Sequence, residues 1–179
     1  DIPFTVGGGI ASVEDAGLLL RAGADKITVN SAAVRRPELI DEIAARYGNQ
    51  FVVVAIDAKR IDGRWTVTTH GGKRPTGKEL FSWAREAQER GAGEILFTSM
   101  DHDGTKNGYP CETFARLSGM LSVPVVASGG AGCVRDIAEV LTEGRADAAL
   151  AASIFHYGEI PIPRLKRELH AMGIPVRLI

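Results

Sequence analysis

Short apolar runs recur along the chain at Phe4–Val6, Lys26–Val29, Phe51–Ile56, Glu94–Thr98, Val125–Ala127 and Ala148–Ala151. Most are apolar at nearly every position rather than at alternate ones. A strand with one wet face alternates, whereas a strand covered on both faces does not. The runs therefore predict a parallel sheet wrapped by helices.

Helix signals fall between the runs. Ser12 and Asp15 have capping-box spacing ahead of Ala16–Arg21, and Gly23 stops that segment. Pro37 occupies the first turn of a second helix that ends at Gly48. Thr76 and Glu79 have capping-box spacing for a third, ending at Gly91. Cys111–Leu121, Val134–Glu143 and Ile162–Met172 complete the set. The alternation predicts one domain over residues 1–179, built of six consecutive βα units. One insertion breaks the rhythm: Asp62-Gly63, flanked by extended residues, predicts a β-hairpin after the third strand.

The chain also repeats itself. The segment from Ile2 matches the segment from Val123, with Pro3/Pro124, Gly8/Gly129, Gly9/Gly130, Asp15/Asp136, Gly23/Gly144, Asp25/Asp147 and Ser31/Ser153 in register after one insertion. Repetition across strand, glycine turn, helix and strand points to two related βαβ units in a symmetric array. A strand that runs through glycines into a helix lets backbone N–H groups approach an anion. Gly8-Gly9 is completed by Asn30-Ser31, and Gly129-Gly130 by Ala152-Ser153. Two phosphates on one substrate fit this pattern. Glycines that serve only tight turns, or a duplication with one site still in use, fit it too.

Charge is consistent with such amide-built sites. Among 179 residues, 21 Lys and Arg oppose 22 Asp and Glu, a formal net charge of −1. That balance argues against nucleic acid or a membrane surface as partner. No apolar run reaches the ~20 residues of a bilayer span. With no secretory pattern at Asp1-Ile2-Pro3, a cytoplasmic location is expected, and Cys111 and Cys133 are expected as free thiols.

Two aspartates stand where acid–base chemistry is wanted. Asp57 ends the apolar run FVVVAID, and Asp103 follows the next one in TSMDHDGT. Catalysis in α/β barrels sits at the C-terminal ends of strands. Strand alternation is expected to turn only one of Asp101 and Asp103 to the cavity. Helix or loop capping is the alternative use for either residue. Lys59 and Arg60 either pair with Asp57 or belong to the hairpin. Thr98 and Ser128 are hydroxyl donors at strand ends, suited to orienting a substrate. The histidines lack metal-ligand spacing, so neither metal nor cofactor is expected; His102 is the one with a possible functional position. G-x-S-x-G, Walker and dinucleotide motifs are missing, which removes support for acyl transfer, nucleotide hydrolysis and hydride transfer.

The segments PFTVGGGI, VNSAAV, VVVAIDAKRIDG, GAGEILFTSMDHDGTKNGY, VASGGAG and ADAALAASIFH together resemble the cyclase subunit of imidazole glycerol phosphate synthase, over essentially the whole chain. The resemblance implies a (β/α)8 barrel with half-barrel symmetry. It implies that ammonia from a glutaminase partner attacks a bis-phosphorylated amidine substrate, giving imidazole glycerol phosphate and an aminoimidazole carboxamide ribotide. Asp57 and Asp103 match active-site aspartates. Phosphate contacts map to Gly9, Asn30 and Ser31, and to Gly104, Gly130, Ala152 and Ser153. Lys26 and Glu94 match charged residues that gate ammonia at the barrel bottom, and Gln50 matches the glutaminase-facing surface. A related sugar-phosphate isomerase shares the phosphate clusters but matches these segments less well.

A complete barrel of this type has ~250 residues. Against the family pattern, this sequence starts at the third strand and does not contain the first two βα units or the other catalytic aspartate they carry. Open strand edges, self-association and weak cyclase activity are the resulting expectations. A silent phosphate-binding barrel fragment is the alternative function.

Overall fold

The computed structural model describes residues 2–178. It alternates parallel strands with helices in the manner of a (β/α)8 barrel, and it divides into two compact units.

The first unit comprises Asp1–Phe97 with Leu121–Pro124. Its elements are β1 (Thr5–Gly7), α1 (Val13–Arg21), β2 (Lys26–Val29), α2 (Ser31–Arg35), α3 (Glu38–Tyr47), β3 (Val52–Ile61), β4 (Arg64–Thr69), β5 (Arg74–Glu79), α4 (Leu80–Glu89) and the start of β6 (Glu94–Ser99). The parallel strands lie in the order β1-β2-β3-β6. Thr5 pairs with Lys26, and Ile27 with Val52. Val52 through Ile56 are all buried, as a strand covered on both faces requires. Leu39, Ile40, Ile43 and Ala44 of α3 are buried, as are Leu80, Phe81, Trp83, Ala84 and Ala87 of α4. That i, i+3, i+4 spacing is one helix face laid on the sheet. Each fully buried Leu, Ile or Phe contributes about 1.5–3 kcal/mol.

β1 departs from expectation. Thr5 and Gly7 are exposed, and so are Ile2 (80%) and Phe4 (61%). The reason is topological: among the described residues β1 pairs only with β2, so its outer edge has no ladder neighbour.

The hairpin forms as predicted. Asp62 (φ 49°) and Gly63 (φ 77°) make a two-residue turn with both φ positive, the turn whose twist matches the flanking strands. Lys59 and Arg60 belong to this hairpin, opposite Thr66 and Trp65. Arg60 stacks over Trp65 at 5.3 Å, and Trp65 meets Phe97 edge-on at 5.4 Å. The Thr76–Glu79 capping box does not form. A further strand, β5, takes these residues, and the Thr76 hydroxyl donates to the Val67 carbonyl at 2.8 Å. Glu79 is itself the cap, accepting from the Phe81 and Ser82 amides at 2.9 and 3.0 Å.

The second unit comprises Thr98–Met120 with Val125–Ile179. It holds α5 (Cys111–Met120), β7 (Val125–Ser128), α6 (Val134–Thr142), β8 (Ala148–Ala149), α7 (Ser153–His156) and α8 (Ile162–Ala171). β7 and β8 are parallel, with Val126 opposite Ala148. β8 is shorter than the predicted Ala148–Ala151. Leu150 still donates to the Ala127 carbonyl at 2.7 Å, but the chain then turns into α7. Both cysteines are free.

The sequence repeat is a repeat of wiring. Asp25 accepts the Phe4 amide at 2.7 Å, and its counterpart Asp147 accepts the Val125 amide at 2.8 Å. Asp15 accepts the Ala11 and Ser12 amides, both at 3.0 Å; Asp136 accepts those of Gly132 and Cys133 at 2.8 and 2.9 Å. The first pair clamps the start of a strand to the start of the next. The second caps the helix that follows each glycine turn. Both helices start one residue beyond matched positions, after Ser12 and Cys133. Charge-assisted bonds from backbone amides to carboxylates are among the stronger local contacts, and they fix the turn between each pair.

Candidate functional site

Each unit carries a cavity lined by glycine backbone. In the first, Gly7, Gly8, Gly9, Asn30, Ser31 and Arg35 line a space of about 440 Å³. Gly8 (φ 103°) and Gly9 (φ 75°) hold left-handed conformations, which glycine adopts without the penalty of a Cβ. Among the described residues none accepts from the N–H groups of Gly8, Gly9, Ser31 or Ala32. These are unspent donors beside an open space, the elements of an anion site. The amides nearer α1 are different: Asp15 already takes them, so the site is built by the glycine turn and the start of α2. The Ser31 hydroxyl accepts a long bond, 3.4 Å, from the His70 amide at the tip of the β4–β5 hairpin.

Asp57 joins this cavity through Asn30. The Asn30 Nδ2 donates to Asp57 Oδ2 at 3.1 Å, while Asn30 Oδ1 is buried with no protein donor. The Asp57 backbone carbonyl accepts from the Thr68 hydroxyl at 3.0 Å. Asp57, at the C-terminal end of the buried stretch of β3, is thus held at its carboxylate by Asn30 and at its main chain by Thr68, with one amide oxygen beside it left for a ligand.

In the second unit, Asp103, Gly104, Ser128, Gly129, Gly130 and Ser153 line a smaller cavity of about 130 Å³, with Leu150–Ala152 closing it. Gly130 is required by close approach: a Cβ there would run into the Gly108 carbonyl oxygen. Asp103 faces the cavity and Asp101 does not line it. Strand alternation is not the cause, because β6 ends at Ser99 and both residues lie in the turn that follows. The Asp103 amide donates to the Ser99 carbonyl at 2.9 Å, which sets that turn. Thr98 is not among the lining residues. His102 is engaged by the Ser99 hydroxyl at 2.7 Å through Nδ1.

At the opposite ends of the strands in the first unit, Lys26 Nζ and Glu94 Oε2 form an ion pair at 2.5 Å, with the Glu94 side chain only 16% exposed. The pair links the first residues of β2 and β6 across β3. Gln50 is exposed, in a short 3-10 turn at Asn49–Phe51. Burial, with Glu139 and Glu143 nearby, pushes the Cys111 thiol up, which disfavours a thiolate nucleophile there. Among the described residues no group of three His, Cys, Asp or Glu could hold a metal ion, and no helix is long and apolar enough to cross a membrane.

Sequence reasoning missed Arg35 as a lining residue. Its signal was the four-residue spacing from Ser31, which puts both on one helical face.

A family model described as "Histidine biosynthesis protein" matches residues 1–161. The chain belongs to the histidine biosynthesis protein family. Within that family it is 59% identical to the imidazole glycerol phosphate synthase subunit HisF of Flavobacterium johnsoniae, over 99% of this chain and 71% of that protein. The proteins of the same name from Phocaeicola vulgatus and Bacteroides fragilis are 56% and 57% identical, over 99% and 98% of this chain and 71% and 70% of theirs.

Proposed function

We propose that this chain is a cyclase of the imidazole glycerol phosphate synthase type. The observation that carries the reading is two cavities of one design, each lined by glycine amides with an aspartate at hand. Gly8, Gly9, Asn30 and Ser31 take one phosphate of the substrate. Gly104, Ser128, Gly129, Gly130, Ala152 and Ser153 take the other. Thr98, at a strand end outside the cavity lining, orients substrate rather than holding phosphate. The substrate is a phosphoribulosyl-formimino-aminoimidazole carboxamide ribotide. Ammonia attacks it, and ring closure on the ribulosyl carbonyl with loss of water and cleavage of the amidine C–N bond gives imidazole glycerol phosphate and aminoimidazole carboxamide ribotide. Asp57, held by Asn30, and Asp103 move the protons that this needs; such groups contribute about 10²–10⁴ in rate. The names of the relatives favour this reading over the isomerase.

A glutaminase subunit supplies the ammonia. The Lys26–Glu94 pair admits it at the strands' N-terminal ends, and exposed Gln50 belongs to the docking surface. Self-association covers the apolar side of β1 and α1, where Ile2, Phe4, Leu18 and Leu20 are exposed.

The test is turnover with ammonium as nitrogen donor, following imidazole glycerol phosphate. Asp57→Asn lowers kcat by about 10³ while product binding persists. Failure to form the imidazole product, or an Asp57→Asn rate equal to the parent's, overturns the reading.

A further inference from the structure

The two cavities differ in charge. Arg35 ends α2, four residues after Ser31. A helical side chain leans back over the preceding turn, so the Arg35 stem lies over Ser31. Arg35 lines the first cavity together with Gly8 and Gly9. Its neighbour Arg36 is engaged by Glu42 at 2.6 Å, whereas no carboxylate among the described residues lies within ion-pair distance of Arg35. The second cavity contains no lysine or arginine and does contain the Asp103 carboxylate.

We propose that Arg35 is a phosphate-binding residue of the first cavity and makes it the tighter of the two for a phosphate dianion. The inference rests on the phosphate reading above. Backbone amides give a neutral cradle; a guanidinium adds a forked, charge-assisted donor that a lysine copies only as a point charge. Arg35 is exposed, so its attraction is screened by salt. The first site therefore binds dianions about tenfold more tightly than the second at low salt, with the advantage shrinking at high salt.

Titration of the full chain with inorganic phosphate, followed by amide NMR, reads the two cavities separately through Gly9 and Gly130. Gly9 saturates first. Arg35→Gln weakens the Gly9 site about tenfold and leaves Gly130 unchanged; Arg35→Lys retains the salt dependence with intermediate affinity. The Arg35 Nε–H signal shifts with the Gly9 response, which a structural role alone would not produce. Equal saturation of both sites in the parent, or an unchanged Gly9 titration in Arg35→Gln, overturns this proposal and leaves the phosphate reading standing. Absence of any saturable response at Gly9 and Gly130 overturns both.

Discussion

Replacing Gly130 by alanine tests whether the second cavity is built on close backbone approach. Gly130 sits at φ 124° and Gly9 at φ 75°. Either alanine carries the strain of a left-handed residue, about 1–2 kcal/mol. At Gly9 the new methyl meets nothing within 4 Å. At Gly130 it runs into the Gly108 carbonyl oxygen, which cannot swing aside because the Gly108 amide donates to the Gly130 carbonyl at 2.9 Å. Overpacking against a fixed group adds about 1–3 kcal/mol. The mid-range expectation is about 1.5 kcal/mol for Gly9→Ala and about 3.5 kcal/mol for Gly130→Ala. At about 3 °C per kcal/mol for a chain of this size, Tm falls by roughly 5 °C and roughly 10 °C. Thermal and urea unfolding of the two variants beside the parent measure the difference. Equal losses, or a Gly130→Ala cost below about 1 kcal/mol, refute the claim that this turn is closed by backbone against backbone.

Two further outcomes follow from the structure. The Ala11 amide, with Ser12, holds the Asp15 carboxyl below its ordinary value. A depressed folded-state pKa stabilises above the unfolded value and loses that contribution as pH falls through the folded one. Parent and Asp15→Asn therefore differ in Tm near neutrality, and the difference shrinks as pH falls below the unfolded carboxyl value of about 3.9; a constant difference from pH 7 to 2 contradicts the assignment. Sedimentation at low micromolar concentration shows association of the parent, and Phe4→Lys with Leu18→Lys shifts it to monomer; a parent that is already monomeric contradicts the covered-edge reading.

What was legible in the sequence depended on how local the cause was. Val52 through Ile56 declared a strand buried on both faces because no polar residue interrupts them. Asp62-Gly63 declared its turn because both residues tolerate positive φ. The matched aspartates Asp15 and Asp136 were visible as a repeat; capping-box spacing announced the task of Asp15, and the bonds show Asp136 sharing it. Thr76 misled because capping-box spacing also occurs by chance within a strand; pairing of β5 with β4 overrode it. The expectation for Asp101 and Asp103 rested on strand alternation, but β6 stops at Ser99 and a turn, not a pleat, brings Asp103 to the cavity lining. Arg35 escaped notice because an arginine on a short exposed helix looks like a solvated surface until the cavity beneath it is seen.

The aspartates Asp25 and Asp147 each tie down the strand just before their own, inside a stretch of some thirty residues. Nothing outside that stretch is needed to complete the knot. A gene carrying such a stretch can be doubled, shuffled or joined to a foreign copy, and every descendant inherits its fastening already tied. Symmetry of this kind comes cheaply to a lineage, because the part that is copied brings its own clasp.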